Sequence, residues 1–156
     1  MISVELGDIC LTVDQLAFEK LKLYIQDLHC KPESGGILMG YYIDEFSYYI
    51  TDITIPSKSD KGSRYSFIRT VKNTQKLLSE FFRKSNGKKI YLGEWHTHPE
   101  KIPNPSSLDL HSMESQLIKN RLNSNIIFMI IMGTDGLYVS TFSKSGLLNQ
   151  KRITYN

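Results

Sequence analysis

The longest apolar run in the chain extends from Ile126 to Met132, and no other segment restricts the possible folds as strongly. It is far shorter than the ~20 apolar residues that a membrane helix needs, and its length is typical of a buried β-strand. Thr134-Asp135-Gly136 then predicts a hairpin turn into a second strand over 137–143. This part of the chain is therefore expected to lie in a β-sheet.

Segments with helical and with strand-like patterns follow one another along the rest of the chain. Apolar residues at helical spacing predict three helices: one that begins near Asp14 and ends within 29–32, one over 71–84 and one over 107–122. Further strands are predicted over 35–40, 41–49, 49–56, 65–68 and 89–96, with a polar loop over 58–63. The order α, several β, α, β, α, β, β predicts fold class α/β (α+β mixed), with a central mixed β-sheet and flanking helices.

Length and composition limit the classes of protein that the chain can belong to. Its 156 residues are expected to form a single domain over 1–156. A net charge of +3, with basic residues spread along the chain, argues against a nucleic-acid partner. There is no pattern of a secretory signal or a membrane span, so a cytoplasmic location without membrane contact is expected. Cys10 and Cys30 could pair, but in the cytoplasm they are expected to be reduced.

Two histidines and an aspartate form the pattern in the sequence that most favours a metal site. His96 and His98 come at the end of a predicted strand, where residues two apart point to the same face. Asp109 follows in the first turn of the next predicted helix, after a loop with three prolines that can fold back over the strand end. Catalytic zinc sites use nitrogen and carboxylate ligands and leave a fourth position to water. The spacing therefore predicts a zinc site at these three residues.

Each of these residues also has an ordinary structural interpretation. A histidine pair at a strand end is usually surface or satisfied core. Ser106 and Asp109 are spaced like a helix capping pair, in which Ser106 caps the helix and Asp109 favours its positive end. Glu33, directly after Pro32, would by itself be a solvated loop carboxylate. Only the joint occurrence of these elements, in this order, favours a functional site.

The same residues carry a resemblance to a known family. His96-x-His98, seven intervening residues and Ser106-x-x-Asp109 resemble the JAMM motif of JAB/MPN-domain zinc metalloproteases. The upstream segment 33–40, Glu-Ser-Gly-Gly-Ile-Leu-Met-Gly, resembles the family's Glu-x-x-Gly-Ile-Leu-x-Gly segment. The resemblance implies the JAB/MPN architecture, which is cytidine deaminase-like, for the whole chain.

The resemblance also implies a chemical role for each site residue. His96, His98 and Asp109 would hold one Zn²⁺ per chain and lower the pKa of a bound water toward ~7. Glu33 would take the proton from that water and later deliver it to the leaving amine of a lysine. Ser106 would donate a hydrogen bond to the oxyanion that forms during attack, a contribution of typically ~3–4 kcal/mol.

The function that the resemblance implies is that of a zinc-dependent isopeptidase, which cleaves after the C-terminal tail of a ubiquitin-like modifier or conjugate. The segment 91–99 is similar to JAB deconjugases of anti-phage CBASS operons, which reverse the ubiquitin-like conjugation of a nucleotidyltransferase. Processing of sulfur-carrier proteins and a non-catalytic JAB scaffold that binds partners are the alternatives. A deaminase is excluded because its Pro-Cys-x-x-Cys segment is absent.

Four other residues near these motifs are interpreted as structural. His29, near a predicted helix C-terminus, and His111, which faces away from Asp109, are not expected to be ligands. Trp95 points away from the histidines and is expected in the core. Glu94 shares the face of the histidines and could orient a ligand, although an exposed strand carboxylate is the more common case.

Overall fold

The structure, a computed structural model, covers residues 1–156 and contains three helices and ten strands. The helices are α1 (Gln15–Lys22), α2 (Val71–Lys84) and α3 (Ser107–Lys119). The strands are β1 (Ile2–Leu6), β2 (Ile9–Val13), β3 (Gly35–Asp44), β4 (Ser47–Ile53), β5 (Lys61–Ser63), β6 (Ser66–Ile68), β7 (Ile90–Thr97), β8 (Ile127–Met132), β9 (Gly136–Ser143) and β10 (Gly146–Thr154). This is the mixed α/β class that the sequence predicts.

Eight of the strands form one mixed sheet in the order β1-β2-β4-β3-β7-β8-β9-β10. Neighbours are antiparallel except for two parallel pairs, β2 with β4 and β7 with β8. A parallel pair needs a crossover connection, and α3 lies in the one between β7 and β8. The strands β5 and β6 form a separate hairpin. The crossover brings the start of α3 next to the end of β7.

Apolar side chains cover both faces of the large sheet, and helices pack on each face. Leu21 of α1 belongs to the same buried cluster as Trp95 of β7. Met113 and Leu117 of α3 belong to a second cluster with Ile131 of β8, to which α2 adds partly buried side chains. The sheet is therefore the middle layer between α1 on one side and the other two helices on the other.

The C-terminal hairpin that the sequence predicts is confirmed. Every residue from Ile127 to Met132 is buried in β8, and β8 pairs antiparallel with β9. The predicted order is wrong at its start and its end, because the chain begins with the β1–β2 hairpin and continues after β9 into β10. Most side chains of β10 are exposed, so this strand lacks the apolar alternation by which a strand is recognised.

The first helix is shorter than its periodicity predicts. It ends at Lys22 and not within 29–32. The three residues that follow donate their N–H groups to carbonyls three positions back, which tightens the last turn and closes the helix. The ring of Tyr24 then lies 5.5 Å from that of Trp95. The apolar residues after Lys22 are thus used for packing against the sheet rather than for a continued helix.

Two strand boundaries also differ from the prediction. The segments predicted as separate strands over 35–40 and 41–49 meet in one strand, β3, which continues to Asp44. The chain then turns, and the N–H of Phe46 donates to the Asp44 carboxylate at 2.9 Å. Aspartate commonly closes a turn in this way, so Asp44 marks a strand end that the apolar pattern does not show. The end of the predicted loop over 58–63 forms β5.

The structure also describes the cysteines and the possible membrane spans. Cys10 and Cys30 are both free thiols. None of the three helices combines the length and the apolarity that a bilayer span requires.

Gly93 marks a close approach between β7 and β8, and its replacement tests that packing. Its φ is +133°, and a β-carbon there would lie 1.8 Å from the carbonyl oxygen of Phe128. We expect Gly93→Ala to destabilise the protein by about 3 kcal/mol or more, because both strands must move and the alanine is strained.

The control for this substitution is Gly146→Ala. Gly146 has a φ of +106°, but the nearest atom to an added β-carbon is a Glu114 carboxylate oxygen at 3.6 Å. Its expected cost is about 1–2 kcal/mol, from the backbone conformation alone. Denaturant unfolding measures both variants. Equal losses would show that the approach of β8 contributes nothing to the effect at Gly93.

Candidate active site

β7 directs its histidine toward the face of the sheet on which α3 packs. Trp95 is buried in the cluster on the α1 side, as the sequence predicts. Because side chains alternate along a strand, Glu94 and His96 point to the opposite side. His98 follows directly after β7, and its N–H donates to the carbonyl of Met132 at 3.0 Å. Both histidines are thus held by the central part of the sheet.

The first turn of α3 fixes Asp109. The Ser106 hydroxyl oxygen accepts from the N–H of Asp109 at 3.0 Å, and an Asp109 carboxylate oxygen accepts from the N–H of Ser106 at 2.8 Å. This reciprocal pair is a capping box, so the structural interpretation of Ser106-x-x-Asp109 is confirmed. A serine that accepts in this way still has its hydroxyl hydrogen free to donate.

The side chains of His96, His98 and Asp109 converge at one point. The two imidazole Nε2 atoms are 3.1 Å apart. His96 Nε2 is 3.3 Å from Asp109 Oδ1, and His98 Nε2 is 3.3 Å from Asp109 Oδ2. When each residue offers one ligand atom, the three atoms lie within 4.8 Å of one another. The structure thus brings together the three residues predicted to bind metal, and His29 and His111 are not part of the group.

These distances fit a small divalent ion. Ligand atoms at roughly 2.0–2.1 Å from a tetrahedral zinc are about 3.3 Å apart. This is close to the separation of the two Nε2 atoms and to the distance from each Nε2 to one of the two Asp109 carboxylate oxygens. The ligand types, two imidazoles and one carboxylate, are those of catalytic zinc sites with one open position.

The electrostatics of the cluster favour a cation. Burial would raise the pKa of Asp109, but hydrogen bonds with His96 and His98 outweigh it and hold that pKa well below its usual range. Burial would lower the pKa of His98, but the hydrogen bond and charge of Asp109, with the charges of Glu33 and Glu100, raise it above the usual value. The carboxylates that stabilise a proton here would also stabilise a divalent ion in its place.

Glu100 is a neighbour of the site that the sequence analysis did not single out. The Nδ1 atom of His98 is buried and has no hydrogen-bond partner. Glu100 Oε1 lies 3.3 Å from this nitrogen, and Oε2 of the same carboxylate accepts from the N–H of Asn104 at 3.3 Å. A carboxylate two residues after a candidate ligand is the signal that could have identified it, because ligating histidines commonly donate to one.

Glu33 reaches the same site from the start of β3. Gly35 of β3 pairs with His96 of β7, and a β-carbon on Gly35 would lie 2.7 Å from the carbonyl oxygen of Trp95 in β7. This close approach brings the segment before β3 against the end of β7. The Glu33 carboxylate is buried, and its Oε1 lies 3.9 Å from His98 Nε2. Glu33 is therefore buried beside the histidines and is not a solvated loop carboxylate.

Burial also changes the acidity of Glu33. It raises the pKa of this carboxyl above its ordinary value, and the nearby charges of His98 and His96 reduce that effect only in part. A carboxyl with a raised pKa exchanges protons more readily near neutral pH.

All five predicted site residues line one cleft of about 460 Å³, together with the β6 side of the β5–β6 hairpin. A larger groove of about 640 Å³ lies between α2 and α3 and contains none of the five. Its wall includes Arg69, whose guanidinium pairs with Glu94 at 2.7 Å. Glu94 thus shares the face of the histidines, as predicted. The expectation of an exposed carboxylate is wrong, because Glu94 is half-buried and binds an arginine.

Comparison with known proteins agrees with this arrangement. A family model described as prokaryotic homologs of the JAB domain matches residues 21–143. The chain belongs to this family. This chain is 35% identical over 134 residues to a CD-NTase/cGAS isopeptidase of Vibrio cholerae. The match covers 86% of this chain and 83% of that protein. The chain is 31% identical over 133 residues to a protein of the same name from Escherichia coli, covering 85% and 82%.

A solved structure shares the fold of this JAB-family chain. The solution structure of a protein from Desulfitobacterium hafniense superposes with a TM-score of 0.62 at 17% sequence identity. The match covers 90% of this chain and 89% of that protein. The mixed sheet with three helices is therefore the JAB/MPN fold that the motif implies.

Asp109 both caps α3 and faces the histidines, and one substitution separates these two contributions. Asp109→Asn keeps an oxygen that can accept from the N–H of Ser106 but removes the charge and the anionic ligand. We expect zinc affinity to fall by about 100-fold or more, since loss of residues that merely support ligands already costs 10–100-fold. The metal-free protein keeps the cap but loses the charged hydrogen bonds of Asp109 with the histidines, so its melting temperature should fall moderately near neutral pH.

Ser106→Ala is the control, for which we expect a loss of stability without a loss of zinc affinity. It removes the cap and should cost about 1 kcal/mol of stability, while all three candidate ligands remain. Zinc competition with a chromophoric chelator and thermal unfolding measure the two effects. Wild-type zinc affinity in Asp109→Asn would remove Asp109 from the metal site.

Proposed function

We propose that this chain is a zinc-dependent isopeptidase that removes a ubiquitin-like modifier from a conjugated nucleotidyltransferase. The observation that carries the proposal is the convergence of three ligand atoms in the same cleft as a buried carboxylate. The relatives from Vibrio cholerae and Escherichia coli, which bear the name CD-NTase/cGAS isopeptidase, support the choice of substrate. The modifier itself would be recognised by its flexible C-terminal tail.

His96, His98 and Asp109 are the residues that would hold the ion. A zinc ion bound by such a set supplies Lewis acidity, which lowers the pKa of a water toward ~7 and polarises a carbonyl. The protein keeps the ligands in place through the capping box of α3 and the pairing of β7 with β8. The site is thus organised before a substrate arrives, which limits the reorganisation that catalysis requires.

Glu33 would move the proton in the reaction. Its carboxylate accepts a proton from the attacking water as the oxygen bonds to the carbonyl carbon of the isopeptide. It then donates that proton to the lysine Nζ as the carbon–nitrogen bond breaks, so that a carboxylic acid and a free amine leave. The raised pKa of Glu33 suits a group that must accept and return a proton near neutral pH.

Ser106 would stabilise the charge that develops on the carbonyl oxygen. Its oxygen is occupied by the N–H of Asp109, which orients the hydroxyl group at the rim of the cleft. Its hydrogen can then donate to the oxyanion, and one such donor contributes about 3 kcal/mol to the transition state.

Glu33→Gln tests the proton transfer. The amide keeps the size of the side chain but cannot accept the proton, so kcat should fall by about 10²–10⁴-fold. Zinc content should remain at one ion per chain, because none of the three ligands changes. Cleavage of a ubiquitin-like protein fused through its C-terminus to a reporter gives kcat, and mass spectrometry of the native protein gives the zinc content.

The control is Glu5→Gln, which changes an exposed glutamate on β1 outside the cleft. It should leave turnover unchanged. Turnover near the wild-type value in Glu33→Gln would show that another group carries the proton.

Removal of the metal tests the reaction class. Treatment with phenanthroline should abolish cleavage of a modifier–nucleotidyltransferase conjugate, and added Zn²⁺ should restore it, whereas added Mg²⁺ should not, because Mg²⁺ prefers oxygen ligands in an octahedron. The same assay with a sulfur-carrier protein bearing a C-terminal extension separates the two substrate classes. Full cleavage by the metal-free protein would contradict the proposal, and a stable complex without cleavage would favour a scaffold.

A further inference from the structure

Gln26 connects three segments of the chain from a fully buried position. It lies in the loop between α1 and β3, and only 2% of its surface is exposed. Its Nε2 donates to the carbonyl oxygens of Lys31 at 3.2 Å and Arg64 at 2.9 Å, and its Oε1 accepts from the Thr97 hydroxyl at 3.0 Å. A buried amide with all of these partners holds the segments in one arrangement.

Thr97 continues the connection to the segment that carries Glu33. It lies between the two histidines in the sequence and is itself fully buried. Its hydroxyl accepts from the N–H of Ser34 at 3.0 Å, and its own N–H donates to the Ser34 carbonyl at 2.9 Å. A chain of hydrogen bonds therefore runs from Gln26 through Thr97 to the residue after Glu33.

The β5–β6 hairpin depends on the same connection. The hairpin has no pairing with the large sheet. The N–H of Glu33 donates to the carbonyl of Ser63 at 2.6 Å, and the carbonyl of the next residue, Arg64, is the acceptor of Gln26. Tyr65, 75% exposed, and Ile68, 65% exposed, line the cleft from this hairpin. The hydrogen bonds at Ser63 and Arg64 thus hold both the main chain of Glu33 and the wall of the cleft that the hairpin forms.

We propose that Gln26 is a positioning residue, which sets the place of Glu33 and of the β5–β6 hairpin relative to the histidine strand. The inference rests on the proposed function of Glu33 in proton transfer. The Glu33 carboxylate is 3.9 Å from His98 Nε2, beyond hydrogen-bond distance, so its main chain decides where it lies. A misplacement of about 1 Å can lower a rate by roughly 10²-fold.

Gln26→Met tests this proposal, because methionine has a similar length and shape but cannot replace the three hydrogen bonds. We expect kcat to fall by about 10–100-fold, with KM within a few-fold of wild type and one zinc ion still bound per chain. Hydrogen exchange, followed by mass spectrometry, should become faster at the amides of 33–34 and 61–68. Exchange in β8 should stay as slow as in the wild type.

Val13→Ala is the control for a loss of stability alone. It removes core volume in β2, which is three strands away from β7 in the sheet. Its kcat at a temperature well below unfolding should equal that of the wild type. If Gln26→Met does not fold, Thr97→Val removes the hydroxyl from the same chain of hydrogen bonds with little change of shape, and the same changes are expected.

Three results would overturn the positioning proposal: unchanged exchange at 33–34 and 61–68, faster exchange with wild-type kcat, or a lower kcat that only follows loss of zinc. Other results would contradict the proposed function: the wild type would cleave no conjugate, or Glu33→Gln would keep its turnover. In that case the exchange rates at 33–34 and 61–68 still decide whether Gln26 fixes these segments.

Discussion

The close approach of two imidazoles and one carboxylate at the junction of β7 and α3 is the constraint on which the site depends. Two Nε2 atoms 3.1 Å apart cannot both carry a proton toward each other, and each lies 3.3 Å from a carboxylate oxygen. A divalent ion could replace the protons of these hydrogen bonds only if the ligand atoms stay at such distances. The surrounding elements must therefore be rigid enough to keep the ligands together.

The sheet provides that rigidity through the position of β7. It is a central strand, paired with β3 on one side and β8 on the other. The antiparallel register that sets Gly35 opposite His96 also brings Glu33, two residues earlier, alongside His98, two residues later. A single pairing therefore decides which carboxylate meets the histidines. The parallel pairing with β8 requires the crossover that returns the chain with Asp109.

The part of the site that could be predicted from the sequence is the part that regular elements carry. Period-two alternation placed Trp95 in the core and His96 on the other face, and the capping pattern placed Asp109 in the first turn of a helix. These inferences need only local geometry, which the sequence encodes directly. They also agree with the family to which the chain belongs.

The parts that could not be predicted depend on contacts between segments distant in the sequence. Gln26 falls inside the predicted first helix, because Tyr24 and its neighbours continue the helical spacing of apolar residues. The helix ends at Lys22 instead, and the amide of Gln26 bonds to Arg64 and Thr97, far away along the chain. β10 lies at the edge of the sheet with most of its side chains exposed, so no apolar pattern marks it. In both cases the tertiary environment outweighs local preference.

The site accordingly has two halves of different construction. The ligand half rests on β7 and α3, which are held by ladder hydrogen bonds and a capping box. The half with Glu33 rests on a loop and on a hairpin outside the large sheet, held by single hydrogen bonds. Thr97 is common to both, because its main chain belongs to β7 and its hydroxyl bonds to Ser34 and Gln26. The residue between the two histidines thus links the strand that carries the ligands to the segment that carries Glu33.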